Sequence, residues 1–282
     1  MKRKPAGEAA LVDFTRRRFR PPDWIVALHS LGVKILRVDD PVKGEWILPK
    51  TSDDKSVVYY LHGGGYISGS AKTTRPITVP LARRSNRRVF ALDYRLAPEH
   101  RFPAAVEDAV AGYRWLVASG IDPRFISVAG DSAGGGLAVA LVMALRNRSD
   151  TLPCCVACMS PWTDMTGRGE SIVANSERDS MFHGEDIGAY ARVYLGSASP
   201  ETTLASPVFG DFAGFPPLYL EVGESEVLKD DARQVHEKAV AAGVPSELRI
   251  VPGVPHGWQF GGPFVPEARE SISKIAEFIS RQ

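Results

Sequence analysis

Residues 125–145 read FISVAGDSAGGGLAVALVMAL, and this stretch carries the pattern that decides the fold. The apolar run 125–129 predicts a buried strand, and 133–145 is apolar on all sides, as in a helix at the centre of a domain. Between them GDSAG (130–134) matches the pattern GxSxG. A strand, a tight turn of small residues and a helix together predict a nucleophile elbow. Such a turn places the Ser132 hydroxyl beside a helix N-terminus, where backbone N–H groups favour negative charge.

Two other uses of a glycine-rich strand–helix turn compete with this interpretation. Ser132 could serve only as the N-cap of the helix. A dinucleotide-binding turn would carry GxGxxG, and that pattern is absent here. The small residues on both sides of the serine favour the nucleophile.

Apolar strand-like runs alternate with helix-like segments from about Ser56 onward, which predicts an α/β fold with a mostly parallel sheet. Strands are predicted at 57–61, 88–92, 125–129, 153–159, 218–222 and 248–251. Two earlier runs, 34–38 and 46–48, flank turn residues and predict an antiparallel edge hairpin. Residues 1–33 and 165–200 interrupt the alternation, and segments of that kind often cover a site.

The overall composition argues against several classes of protein. The chain has 282 residues, with 34 Lys and Arg against 33 Asp and Glu, so the net charge is +1. This balance gives no electrostatic footprint for nucleic acid or for an anionic membrane. The longest obvious apolar run, 137–145, is far shorter than the ~18 residues that a membrane span needs. Because Glu8 and Asp13 interrupt what would be the apolar core of a signal peptide, a cytoplasmic location is expected.

One group of basic residues lies near the start of the chain. The acidic residues among them favour a solvated helix face over a nucleic-acid-binding arm. The group consists of Lys2, Arg3, Lys4, Arg16, Arg17, Arg18 and Arg20.

The three cysteines, Cys154, Cys155 and Cys158, lie in one strand-like run. An odd, clustered set is a poor disulfide framework. Cys155 and Cys158 form a lone CxxC, but residues three apart on a strand point to opposite faces, and no second Cys or His pair lies nearby. We therefore expect buried structural cysteines and no metal site.

A serine nucleophile needs a base, and six histidines compete for that role. His256 follows the predicted strand 248–251 and precedes the last helix, so its loop lies where a base can reach a neighbouring strand's nucleophile. It also follows Ser132 in the order nucleophile, acid, base that enzymes with this elbow use. His236 falls within a helix, and we interpret it as a surface residue.

The acid is expected in the loop after the predicted strand 218–222, which holds four carboxylates. Asp230 and Asp231 begin a helix, where they have a capping role of their own. Glu224 comes first in the loop and is expected to point outward. Glu226, followed by two apolar residues that could hold the loop, is the predicted acid. Its role would be to hold the imidazole tautomer and stabilise the imidazolium.

The segment His62-Gly63-Gly64-Gly65 follows the predicted strand 57–61. Consecutive glycines let backbone N–H groups approach a substrate oxygen with no Cβ in the way. Gly64 and Gly65, with the N–H of Ala133, would bind the oxyanion of a tetrahedral intermediate. The alternative is a flexible glycine turn. We expect His62 itself to orient this loop.

Five motifs together make the chain resemble the hormone-sensitive-lipase-like carboxylesterases, the bacterial family IV esterases. The motifs are HGGGY (62–66), DYRLAPEH (93–100), FPAA (102–105), GDSAGG (130–135) and SPW (160–162). The resemblance implies an α/β-hydrolase fold with an eight-stranded, mostly parallel sheet flanked by helices. It also implies a helical cap built from residues 1–33 and 165–200 over a catalytic core of residues 34–164 and 201–282.

The resemblance further implies a serine esterase that hydrolyses short- to medium-chain acyl esters through an acyl-enzyme, with no cofactor or metal. Carried over by position, the roles fall on the nucleophile Ser132, the base His256 and the oxyanion donors Gly64, Gly65 and Ala133. The family's usual acid is an Asp in a pattern like G-x-x-D-x-L, and Glu226 occupies that position here. Because Glu is one methylene longer, its loop should sit slightly back.

Several further residues are candidates for the substrate pocket, although the aromatic ones could equally belong to the core. They are Tyr66, Asp131, Phe182, Trp258 and Phe260. The partner expected is a small-molecule ester, and the resemblance also implies a homodimer through the edge strand near 248–251.

Two rival functions fit the same fold. One is a non-catalytic binder, because plant gibberellin receptors resemble this family but have lost the catalytic histidine. Here Ser132, Glu226 and His256 are all present. The other is a peptidase or amidase with the same triad, which a comparison of ester with anilide substrates would separate.

Overall fold

The structure, a computed structural model, describes residues 7–282, so Lys2, Arg3 and Lys4 of the basic group lie outside the described residues. The strands are β1 (Val33–Val38), β2 (Gly44–Pro49), β3 (Asp53–Leu61), β4 (Arg87–Leu92), β5 (Ile126–Asp131), β6 (Cys155–Met159), β7 (Leu218–Gly223) and β8 (Ser246–Val251). The α-helices are α1 (Glu8–Arg18), α2 (Asp23–His29), α3 (Arg75–Ser85), α4 (Ala104–Ala118), α5 (Ala133–Asn147), α6 (Glu170–Ala174), α7 (Gly184–Leu195), α8 (Lys229–Ala241) and α9 (Pro266–Ser280).

These eight strands form a single sheet in the order β1-β2-β4-β3-β5-β6-β7-β8. β2 pairs antiparallel with both β1 and β4, and the remaining pairs are parallel. The predicted edge hairpin and the predicted mostly parallel sheet are both confirmed. β5 lies between β3 and β6, so the turns after these three strands meet at the carboxyl edge of the sheet, where open α/β sheets bind ligands.

Side chains of each strand alternate between the two faces of the sheet, and each face is covered by helices. On β3, Tyr59 packs on the side of α4 and α5, whereas Tyr60 packs on the side of α3 and α9. On β6, Cys158 faces the first side and Cys155 the second, and both are fully buried. The prediction that these two thiols point to opposite faces is confirmed.

The helix α5 is buried along its length from residue 133 to residue 145, as its all-apolar sequence predicted. Glycines at its start allow this burial. A Cβ on Gly134 would overlap the carbonyl oxygen of Leu61, and a Cβ on Gly136 would overlap that of Trp162. Small residues therefore let the helix lie against the end of β3. Among the described residues, no helix is long and apolar enough to cross a membrane.

The strand before the elbow starts one residue later than predicted. Phe125 belongs to a short 3-10 turn, Pro123–Phe125, and its side chain is 41% exposed. The Asp122 carboxylate accepts a hydrogen bond from the Arg124 N–H at 2.9 Å, and this local bond competes with extension of the strand.

The packing of α5 can be tested with two leucines. Leu141 in α5 is fully buried, whereas Leu31, just before β1, is 63% exposed. Leu141→Ala should lower the free energy of unfolding by about 2–5 kcal/mol, because it leaves a cavity. Leu31→Ala is the matched control and should change it by less than about 0.5 kcal/mol. Chemical denaturation measures both, and equal losses would contradict the described burial of α5.

Candidate active site

Ser132 lies in the turn between β5 and α5, and its backbone is held in a strained conformation. Its φ is 53° and its ψ is −122°, a region that residues other than glycine rarely adopt. The Ser132 N–H donates to the Met159 carbonyl at 2.8 Å, and the Trp162 N–H donates to the Ser132 carbonyl at 3.0 Å. Bonds to the end of β6 and to the segment after it therefore fix the turn.

The structure brings Ser132, His256 and Glu226 into one hydrogen-bonded chain. His256 Nε2 lies 3.0 Å from Ser132 Oγ, and His256 Nδ1 lies 2.6 Å from Glu226 Oε2. An ionised carboxylate can only accept, so Nδ1 carries the proton and Nε2 is free to accept from the serine hydroxyl. Glu226 and His256 are both buried, whereas Ser132 is half-buried.

The charge on His256 depends on the carboxylates around it. Burial of the imidazole lowers the pKa of His256, but the negative charges of Glu226, Asp179 and Asp131 raise it more. Its pKa therefore lies above the ordinary value of 6.5. The site favours an imidazolium beside Glu226, which is the charge that a base acquires when it removes the serine proton.

Both oxygens of the Glu226 carboxylate have partners. Oε1 accepts from the Gly223 N–H at 2.6 Å and from the Ser160 hydroxyl at 2.7 Å, while Oε2 faces His256. These contacts hold the carboxylate in one orientation. Glu224, the first acidic residue of the loop, is exposed, as expected from the sequence.

The prediction that Asp230 and Asp231 cap α8 is wrong. The helix has no side-chain cap, and both carboxylates instead bind backbone N–H groups of the segment after β6. Asp231 accepts from Thr163 at 2.6 Å and from Asp164 at 2.8 Å, and Asp230 accepts from Ser171 at 2.7 Å. Burial raises the pKa of Asp231 to about 8. Tertiary contacts replace the local cap, because Thr163 and Asp164 lie outside helices and strands and Ser171 lies in the first turn of α6, where N–H groups have no partner within the helix.

The loop after β3 turns on two glycines with positive φ. Gly64 has a φ of 118° and Gly65 a φ of 64°, and both line the cavity next to Ser132. Ala133 is the first residue of α5, where N–H groups have no partner in the helix. No acceptor among residues 7–282 takes the N–H groups of Gly64, Gly65 or Ala133. The three donors are therefore free for a ligand oxygen.

Buried side chains brace this loop from behind. Asp131 Oδ1 accepts from the Tyr60 hydroxyl at 2.7 Å and from the Gly63 N–H at 2.9 Å. His62 Nδ1 lies 2.7 Å from the Gly63 carbonyl, and its ring stacks on Tyr94 at 4.1 Å. Because a carbonyl only accepts, Nδ1 of His62 is protonated. Burial lowers the pKa of His62, which keeps the ring neutral. His62 thus orients the loop, as expected.

A cavity of about 430 Å³ opens above Ser132. Asp131, Phe182 and Phe260 line it, as proposed from the sequence. Most of the other lining side chains are apolar, and many come from the segments before β1 and between β6 and β7. They include Phe19, Pro21, Pro22, Ile25, Met181, Ile187 and Tyr190.

Two of the predicted pocket residues do not line this cavity. Tyr66 is buried behind it and stacks on Tyr194 at 3.8 Å, so its ring fills the core. Trp258 is buried against Val254 and Ala268. Sequence reasoning missed Trp162, which lines the cavity and whose N–H bonds to the Ser132 carbonyl. Among the described residues, no group of three or more His, Cys, Asp or Glu side chains could hold a metal ion.

Comparison with known proteins identifies the family. A family model described as the α/β hydrolase fold matches residues 58–260. A solved esterase of the bacterial hormone-sensitive lipase family superposes with a TM-score of 0.88 at 41% identity, over 96% of each chain. The chain belongs to the hormone-sensitive-lipase-like carboxylesterases. The resemblance seen in its motifs is confirmed, and the chain is a carboxylic ester hydrolase.

Two other relatives of this carboxylesterase cover most of its length. An acetyl-hydrolase of Streptomyces hygroscopicus is 41% identical over 235 residues, which are 83% of this chain and 78% of the relative. The protein EstE5, in a structure from a crystal soaked with p-nitrophenyl butyrate, has a TM-score of 0.86 and 36% identity. That alignment covers 98% of this chain and 99% of EstE5.

The contact between Glu226 and His256 predicts a pH effect. Glu226→Gln should lower kcat by about 100-fold or more, because an amide can favour the wrong imidazole tautomer. It should also move the acid limb of kcat/KM to lower pH, since losing the carboxylate lowers the pKa of His256 and the base works only when neutral. Both effects are measured by steady-state kinetics on a short acyl ester, over a pH range that extends from below to above the pKa of His256.

The exposed neighbour supplies the control for this experiment. Glu224→Gln should leave kcat and the acid limb unchanged. If Glu226→Gln keeps its activity and Asp230→Asn loses it, the acid has been assigned to the wrong carboxylate.

Proposed function

We propose that this carboxylesterase works through an acyl-enzyme formed on Ser132, with His256 as the base and Glu226 as the acid that orients it. The observation that carries the proposal is the hydrogen-bonded chain from Ser132 Oγ through both imidazole nitrogens to Glu226. His256 Nε2 takes the hydroxyl proton as the serine oxygen attacks the ester carbonyl. The imidazolium then gives this proton to the departing alcohol. Water attacks the acyl-enzyme by the same route and releases the carboxylic acid.

The N–H groups of Gly64, Gly65 and Ala133 would bind the oxyanion in both tetrahedral intermediates. They are already held in place, because Asp131 and His62 fix the glycine loop and bonds to the end of β6 and the segment after it fix the elbow. A fixed donor needs no reorganisation when charge develops on the oxygen. Loss of one such donor typically costs about 3–4 kcal/mol of transition-state stabilisation.

The substrates proposed are esters with short to medium acyl chains. The cavity of about 430 Å³ has a mostly apolar wall, and the Phe182 ring meets the His256 ring edge-on at 5.1 Å. Residues 1–33 and 165–200 would form the cap over the core of residues 34–164 and 201–282. The Thr15 hydroxyl lies 3.0 Å from the Tyr190 hydroxyl and links the two parts of that cap. The name of the acetyl-hydrolase relative and the p-nitrophenyl butyrate soak of EstE5 agree with short acyl groups.

Two expectations from the sequence stay predictions. They are the homodimer through β8, which lies at one edge of the sheet, and the cytoplasmic location. The sequence does not separate esters from amides as substrates, and a comparison of p-nitrophenyl esters with p-nitroanilides would do so.

The proposed triad predicts how two single deletions combine. Ser132→Ala and His256→Ala should each remove nearly all hydrolysis of p-nitrophenyl butyrate, and the double variant should lose little more. The residues act as a unit, so the second change has little left to remove. Kinetics of the three variants, with thermal unfolding to show that each is folded, measures this. Additive losses would mean that one of the two residues is outside the triad.

The size of the cavity predicts a limit on acyl length. Tributyrin emulsions should be hydrolysed much faster than triolein emulsions, because a long acyl chain exceeds the space under the cap. Release of fatty acid at fixed pH measures both rates. Comparable rates on the two emulsions would overturn the proposed chain-length preference.

A further inference from the structure

The insertion between β6 and β7 contains a turn, Asn175–Asp179, that is packed against the loop carrying Glu226. The Asp179 N–H donates to the Asn175 carbonyl at 2.8 Å, which closes the turn. Asn175 is 1% exposed and Asp179 is 5% exposed, so both side chains are inside the molecule. Buried polar groups need partners, and the partners of these two lie on the acid loop and on the pocket wall.

Asn175 binds the backbone of the acid loop. Its Nδ2 donates to the Glu226 carbonyl at 2.8 Å and to the Glu224 carbonyl at 3.1 Å. One amide group thereby fixes the main chain on both sides of Ser225. The Arg178 guanidinium donates to Asn175 Oδ1 at 3.3 Å and so fixes the orientation of that amide.

Asp179 binds two parts of the molecule with its two carboxylate oxygens. Oδ2 accepts from the Val227 N–H at 2.9 Å, directly after the acid. Oδ1 accepts from the Met181 N–H at 2.8 Å and from the Phe182 N–H at 3.1 Å. Met181 and Phe182 line the cavity. One side chain therefore holds both the acid loop and a wall of the substrate cavity.

We propose that the Asn175–Asp179 turn positions the acid Glu226 and the substrate wall as one unit, so that the insertion takes part in building the triad besides covering it. This inference rests on the proposed function, because it takes Glu226 as the acid. Neither residue of the turn is itself a catalytic residue. Both act through the loop that presents Glu226 to His256.

The chemistry of Asp179 explains why a carboxylate is needed at that place. An ionised carboxylate accepts hydrogen bonds on both oxygens, whereas an amide accepts on only one. In Asp179→Asn one side of the contact would set an NH₂ group against a backbone N–H. Either the bond to Val227 or the bonds to Met181 and Phe182 must then be lost.

Asp179 also contributes charge to the site. The carboxylates that face His256 are Glu226 from the acid loop, Asp131 from β5 and Asp179 from the insertion. Asn175 carries no charge. The two residues of the turn can therefore be separated by experiment, since both hold the loop but only Asp179 influences the imidazole electrostatically.

The test compares Asp179→Asn and Asn175→Ala with the control Glu177→Gln, whose side chain is 90% exposed in the same turn. Reactive serines are titrated with an organophosphate, so that kcat refers to folded sites alone. Both turn variants should lose about tenfold or more in kcat on p-nitrophenyl butyrate, since small misplacements of catalytic groups cost that much. Glu177→Gln should match the wild type.

Two further measurements separate positioning from simple support of the fold. Asp179→Asn should move the acid limb of kcat/KM to lower pH and change the ratio of butyrate to octanoate hydrolysis, because it alters the charge near His256 and the Phe182 wall. Asn175→Ala removes no charge, so it should move the acid limb less and leave that ratio unchanged.

Two results from the turn variants would decide against the inference. Wild-type kcat per titrated serine in both turn variants would show that the turn only covers the site. Variants without a cooperative thermal unfolding transition would show that the turn is needed for folding instead of positioning. If Glu226→Gln, measured alongside, remains active, Glu226 is not the acid, and both the proposed function and this inference are wrong. If Glu226→Gln is inactive while both turn variants are active, only this inference fails.

Discussion

The arrangement of the site depends on one strained turn, in which Ser132 keeps a left-handed backbone between a central strand and a buried helix. Such a conformation persists only where the surroundings over-determine it. Here the turn is hydrogen-bonded to the end of β6. The start of α5 lies so close to the end of β3 that only glycine, which has no Cβ, fits at Gly134. The close packing around α5, which its all-apolar sequence allows, therefore also holds the serine hydroxyl at the edge of the sheet.

The other groups of the site reach Ser132 because the sheet is parallel there. The glycine loop follows β3, Glu226 follows β7 and His256 follows β8, so each is delivered to the same carboxyl edge. Long loops would leave such groups mobile, and buried polar contacts prevent this. Asp131 fixes the glycine loop and Ser160 fixes Glu226. In the proposed mechanism, residues remote from the reacting bond would thus determine how well the reacting groups are aligned.

The sequence predicted those parts of the molecule that are governed by local pattern. Alternating apolar runs located the strands, the pattern GxSxG located the elbow, and loop position selected, among four carboxylates, the one that contacts His256. The pattern could not show which aromatic side chain lines the cavity, because Tyr66 and Phe182 look alike without their neighbours. It also assigned Asp230 and Asp231 to a local cap, since the competing N–H groups lie some 60 residues earlier in the chain.

The burial of Asp231 makes the stability of the fold depend on pH between about 4 and about 8. Its pKa is about 8 in the folded protein, against an ordinary value of 3.8. An acid whose pKa is raised by folding favours the folded state most at low pH, and that contribution declines as the pH rises through the interval between the two values. The group concerned joins α8 to the segment after β6, which leads into the insertion. The support beneath the insertion is therefore strongest at acidic pH, where His256 is protonated and cannot act as the base, so stability and catalysis have opposite pH preferences.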